Sequence, residues 1–196
     1  MSRIEPVNKS EADAETVAVI ERMEGLWGGD WNLTRVLANA PNMLRAFADF
    51  CDGLQGSSLN PADREVLALE MSRRNGCHYC IPAHTMLARA EGVADADIAA
   101  ILDGRDAADP RCRLIQRATR RICETTGKLE DEELQSFIDQ GLSHETLLDM
   151  VGDIAYCTVT NFTNRLAQTE LDPFLRRVKP AKTENGGAII PHLSDR

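Results

Sequence analysis

Apolar side chains recur at intervals of three and four residues along nearly the whole chain, and no segment sustains the alternation rich in Val, Ile and Thr that marks a half-buried strand. The pattern predicts an all-α fold in a single domain. Residues 11–26 form a first helix, stopped by Gly28-Gly29, and shorter helices follow over about 32–39 and 42–54. Asn60 then stands as a cap before Pro61, a residue well tolerated at a first helical position, and the helix it opens runs to Arg74 and stops at Asn75-Gly76. Pro82 fits only in a first turn, so the next helix starts between His78 and Ile81 and runs to Glu91-Gly92. Further helices are expected over 95–102, 110–126 and 130–140, and Ser143 caps the longest, over 144–169. Polarity rises after Pro173, which suggests a helical domain over 1–178 and a polar tail over 179–196.

Composition narrows the function classes more than it narrows the fold. Apolar residues make up 43% and charged residues 27% of the 196, values ordinary for a globular chain. The 31 acidic side chains outnumber the 22 basic ones, and a net charge of -9 repels a phosphate backbone, which argues against nucleic acid as a partner. No apolar run approaches the roughly 20 residues that cross a bilayer, and none of signal-peptide length opens the chain, so a cytoplasmic location away from membranes is expected. In such a reducing compartment most of the six cysteines (51, 77, 80, 112, 123 and 157) are expected to be buried thiols. The pair separated by only two residues, Cys77 and Cys80, calls for its own explanation.

In Cys77-His78-Tyr79-Cys80 the sulfurs are one helical turn apart, close enough to join as a disulfide with little backbone movement. The unpaired N–H groups at a helix start lower a cysteine pKa, so both thiols at the N-terminal end of this helix gain thiolate character. His84 follows Cys80 by four residues and Cys77 by seven, which puts all three on one face, with the imidazole in reach of a thiol as base or ion-pair partner. Glu65 lies on the preceding helix beside an apolar stripe that includes Ala68 and Leu69. A carboxylate directed at the core needs a partner, and the tight Asn75-Gly76 turn folds the two helices together so that His84 is the expected one.

Glu65, eleven intervening residues, Cys77-x-x-Cys80, three residues and His84 resemble the signature of the alkylhydroperoxidase D and carboxymuconolactone decarboxylase superfamily. The likeness extends over the helices from about Leu37 to Phe174, including the polar segment Asn161-Phe162-Thr163-Asn164-Arg165-Leu166. The resemblance implies an AhpD-like helical bundle that assembles into homo-oligomers and a thiol peroxidase without cofactor or metal. In such an enzyme Cys80 attacks the hydroperoxide, Cys77 resolves the sulfenic acid, His84 deprotonates Cys80 and Glu65 orients His84 or relays its proton. An external dithiol, a lipoyl group or a thioredoxin-like protein, then reduces the disulfide. One departure stands out, since the best-known peroxidases carry histidine just before the second cysteine and this chain has Tyr79 there, with His78 one position earlier.

Other readings compete. Cys77, Cys80 and His84 with Glu65 or His78 could hold zinc, but the chain has no second CxxC and no shortage of core for a structural metal to make good. A redox adaptor or sensor would use the disulfide without consuming peroxide, and the decarboxylase branch of the superfamily generally lacks the cysteine pair. Trp27 and Trp31 either close the core or line a pocket, and Asn161, Asn164 and Gln168 form a polar stripe that serves either as a subunit interface or as the far wall of the site. Arg113, Arg117, Arg120 and Arg121 recur at the spacing of a solvated helix face.

Overall fold

The computed structural model describes residues 2–181, and residues 182–196 of the expected tail lie outside them. The described residues contain helices and connecting segments but no strand: α1 (Ala14–Trp27), α2 (Asn32–Leu37), α3 (Pro41–Gly53), α4 (Pro61–Arg74), α5 (Cys80–Ala90), α6 (Asp95–Leu102), α7 (Pro110–Thr125), α8 (Asp131–Asp139) and α9 (His144–Ala167). Short 3₁₀ turns follow α3 and α9. No helix among them is long and apolar enough to cross a membrane.

Local chemistry accounts for most boundaries. Asn60 accepts from the Asp63 N–H with Pro61 in the first turn, Asp109 accepts from the Cys112 N–H ahead of Pro110, and Ser143 accepts from the Thr146 N–H. Helix α1 starts later than the sequence suggests because Asp13 takes the cap position and accepts from the Thr16 N–H. Helices α7 and α9 end short of expectation because Thr126 (φ 54) and Gln168 (φ 50) adopt left-handed backbone and turn their N–H groups back to Ile122 and Asn164.

Helix α4 is central, packed against α5, α6, α7 and α9. Two apolar clusters lie on either side of the α5–α9 region. One joins α4, α6, α7, α8 and α9 around Leu67, Leu69, Ile98, Ile101, Ile115 and Met150. The other joins α1, α2 and α3 around Ile20, Met23, Leu44 and Phe47, and reaches Cys77, Tyr79 and Cys80. Tyr156 packs against both. Ala181, placed in the tail by the sequence, is buried against the first cluster.

Candidate active site

The turn between α4 and α5 sets the geometry. Gly76 has φ 58, and a Cβ there would meet Arg165 Nη1 at 3.3 Å, so both backbone shape and space favour glycine. The Arg165 guanidinium donates to the Asn75 carbonyl and fixes the turn to α9. Helix α5 then begins at Cys80, inside the expected span of His78 to Ile81. Cys77 therefore lies outside the helix, in the entering turn, which corrects the expectation that Cys77, Cys80 and His84 share one helix face; the Cys77 carbonyl accepts from the Ile81 N–H at 3.1 Å. The Cα atoms are 5.3 Å apart, and the two sulfurs form a disulfide. The Cys80 N–H donates to Cys77 Sγ at 3.2 Å, the helix-start donation expected to favour negative charge on sulfur.

His84 sits one turn beyond Cys80 on α5, and its Nδ1–H donates directly to Glu65 Oε2 at 2.8 Å. Both side chains are largely buried. With Nδ1 held by the carboxylate, a neutral imidazole presents Nε2 as its acceptor. The neighbouring ring groups are engaged elsewhere. His78 Nε2 donates to the Thr169 carbonyl at 2.8 Å, and the Tyr79 hydroxyl donates to Asp172. Burial, and then that bond, push the Tyr79 phenol well above its usual pKa, so it remains a donor.

A cavity of about 590 Å³ opens over this arrangement between the two apolar clusters. Cys80, His84 and Glu65 line it, whereas Cys77 is fully buried and is not part of its wall. Trp27, Trp31 and Tyr156 supply aromatic wall, with Trp27 edge-on to both Phe47 and Tyr156 at centroid distances of 6.2 and 6.3 Å. The tryptophans therefore close core and line pocket at once.

Helix α9 supplies the far wall, and the polar stripe resolves into three different fates. Asn164 is fully buried and donates from Nδ2 to Cys80 Sγ at 3.3 Å. Asn161 accepts from Asn75 Nδ2 at 2.9 Å, and Gln168 donates to the Arg165 carbonyl at the helix end. Two cavity residues were not singled out from the sequence: Arg64 on α4 and Asp153 on α9, whose ion pair measures 2.9 Å. Their one signal was a lone acid in the apolar run around Met150-Val151-Gly152-Asp153-Ile154.

Two further thiols, Cys51 and Cys157, also stand in the cavity wall. Burial pushes Cys51 up to about 12 and Cys157 well above its usual value, so neither has thiolate character near neutral pH. Among the described residues no group of three or more His, Cys, Asp and Glu side chains is arranged to hold a metal ion.

The comparisons with known proteins agree with the superfamily resemblance. Residues 41–116, which include all four signature positions, match the carboxymuconolactone decarboxylase family. No curated protein matches the sequence at a significant level. The fold is similar to an alkylhydroperoxidase AhpD core, an uncharacterized peroxidase-related protein from Ralstonia eutropha JMP134, at TM-score 0.78 and 19% identity over 89% of this chain and 94% of that one. It is also similar to an uncharacterized peroxidase-related protein from Silicibacter sp. TM1040, at TM-score 0.70 and 17% identity over 89% and 95% of the two chains. The debrominase Bmp8, solved without ligand, aligns at TM-score 0.69 and 18% identity over 89% and 95%.

Proposed function

We propose that this chain, with the AhpD-like fold and a family match spanning its CxxC, is a thiol peroxidase that reduces hydroperoxides through Cys80 and Cys77. The observation that carries this reading is the asymmetry of the pair: Cys80 faces a cavity shared with the His84–Glu65 couple, and Cys77 lies behind it.

In the reduced protein His84 Nε2 takes the Cys80 proton while Glu65 holds the imidazolium that results, and Asn164 Nδ2 donates to the sulfur. The thiolate attacks the terminal peroxide oxygen, so that an S–O bond forms as the O–O bond breaks. The departing alkoxide recovers the proton from His84 and leaves as alcohol. The Cys77 sulfur then attacks the Cys80 sulfenic acid, and as the S–S bond forms the S–O bond breaks and the Cys77 thiol proton leaves with the departing hydroxide as water. Two electrons from an external dithiol, a lipoyl group or a thioredoxin-like protein, close the cycle.

Assembly with further copies of the chain belongs to the same reading, supported by Leu148 (72% exposed), Val151, Phe162 and Leu166 (70%), large apolar residues exposed along α9. Light scattering is expected to give a multiple of 21.6 kDa at micromolar concentration, and a monomer mass would count against assembly.

The test of mechanism uses peroxide as oxidant on the reduced protein. Cys77→Ser should react once and leave a sulfenic acid at Cys80 that dimedone traps, while Cys80→Ser should not react. A sulfenic acid on Cys77 in Cys80→Ser would reverse the roles. A wild-type disulfide that exchanges with dithiols but never consumes peroxide would point to a redox adaptor instead.

A further inference from the structure

Two helices present long stripes to the cavity. On α9 these are Asp153, Cys157, Thr160 and Asn164, and on α5 Cys80, His84 and Leu87 with Glu91 at its C-cap, each set spaced four, three and four residues apart. Eleven residues of helix rise about 16 Å, so the cavity is long in the direction of the helix axes. Asn164 marks its sulfur end through Cys80, and Asp153 stands three turns away beside Arg64.

The remote end is electrically lopsided. Asp153 and Glu91 line the cavity there beside Arg64, and two of the Arg64 donors, Nε and Nη2, go to the same oxygen, Asp153 Oδ1, at 3.1 and 2.9 Å. Asp153 is only 3% exposed, yet its other oxygen, Oδ2, is buried with no hydrogen-bond partner among the described residues. A buried acceptor left unpaired is unfavourable, and a ligand that brings a donor removes that cost. A ligand that brings a second carboxylate would set an acceptor without a proton, and a like charge, against Asp153 Oδ2. Trp27, Trp31, Leu54, Leu59, Leu87 and Tyr156 supply apolar wall, with Gln55, Ser57 and Thr160 as further polar lining.

Resting on the peroxidase reading of this cavity, we infer that its substrates are extended, uncharged, largely apolar hydroperoxides whose remote end carries a hydroxyl group that donates to Asp153 Oδ2, and that the same chains ending in carboxylate are rejected. Asp153 is then the residue that sets specificity, and the chemistry at Cys80 does not depend on it.

Trp27 and Trp31 are the only two tryptophans of the chain and both line the cavity, so intrinsic fluorescence reports its occupancy. The full-length oxidised protein is titrated with decanol and with decanoate at pH 8, below the concentrations at which either self-associates. Decanol should bind at least about tenfold more tightly than decanoate, and Asp153→Asn should shrink that preference to about threefold or less. Equal affinities in the unmodified protein overturn the inference without recourse to any variant, as does an undiminished preference in folded Asp153→Asn.

A kinetic arm separates this inference from the reading beneath it. The reduced protein is expected to consume linoleyl alcohol hydroperoxide at least about tenfold faster than linoleate hydroperoxide, and Asp153→Asn should remove that ratio, each rate being taken relative to the same protein's rate with tert-butyl hydroperoxide, which is too short to reach position 153. Equal slowing of all three in the variant would make Asp153 a general support of the site and sink the inference. Consumption of none of them would sink the peroxidase reading, and the fluorescence titration would still decide the selectivity.

Discussion

Two carboxylates five residues apart on α4, Glu70 buried and Glu65 half-buried, serve opposite ends. Glu70 is fully buried and saturated: Gln116 Nε2 donates to it at 3.2 Å, Arg120 pairs with it at 3.1 Å, and Arg73 closes the group from the same helix. Glu65 meets His84 at the edge of a cavity. Arginine does not give up its proton, so the Glu70 cluster can only hold helices together, α7 to α4 above all. An imidazole passes a proton on, and here it does so beside open space and a sulfur. Burial of charge alone therefore fails to mark the site. Arg120, grouped by its spacing with a solvated face, instead reaches the buried Glu70 and pairs with Asp106.

Substitutions can break this comparison or sharpen it. The largest effect is expected from Cys80→Ser, which should abolish peroxide consumption while the melting temperature stays close to that of the reduced parent. His84→Gln should slow consumption by about 10²-fold near neutral pH with the fold intact, as stopped-flow traces and circular dichroism would show together. Glu70→Ala should do the reverse: leaving Arg73, Arg120 and Gln116 without their partner costs about 3 kcal/mol, on the order of 10 °C in melting temperature, with the rate per folded molecule preserved. A catalytic loss at Glu70 as large as at His84 would dissolve the distinction between the two clusters.

Smaller effects test the finer geometry. Glu65→Gln keeps a hydrogen-bond acceptor for His84 but removes the charge that stabilises imidazolium, and about a tenfold slowing is expected, less than for His84→Gln. Asn164→Leu removes the amide that donates to Cys80 Sγ and should raise the Cys80 thiol pKa by about one unit, read as thiolate absorbance in a Cys77→Ser background. The last comparison is between sulfurs that share one cavity. Because burial holds Cys51 at about 12, it remains a thiol as pH rises from 7 to 9, and iodoacetamide should label Cys80 of the reduced protein well before Cys51 or Cys157. Comparable early labelling of Cys51, found by mass spectrometry of the digest, would show that it is far less enclosed than its position implies.

How much of this could be read from the chain depends on how local each interaction is. Helices α4 and α6 match their expected limits residue for residue, because Asn60-Pro61, Asn75-Gly76 and the apolar spacing act within a few bonds of the backbone they shape. The Glu65–His84 contact was accessible for the same reason, since a short turn leaves two consecutive helices little choice but to pack together. The sequence by itself thus determined an all-helical bundle, the superfamily signature and the partners within one helical hairpin.

Tertiary structure decided the rest. Nothing local tells Asn164 from Asn161 or Gln168, or directs Asp153 to Arg64, because these contacts span 84 and 89 residues and depend on how α9 is rotated and set along α4 and α5. Helix α9 carries polar groups on more than one side and large apolar ones on its exposed side, so its hydrophobic pattern leaves that rotation open. The rotation is settled only when both apolar clusters close on it together, and it then determines which amide meets the sulfur and which carboxylate is left with an oxygen to offer.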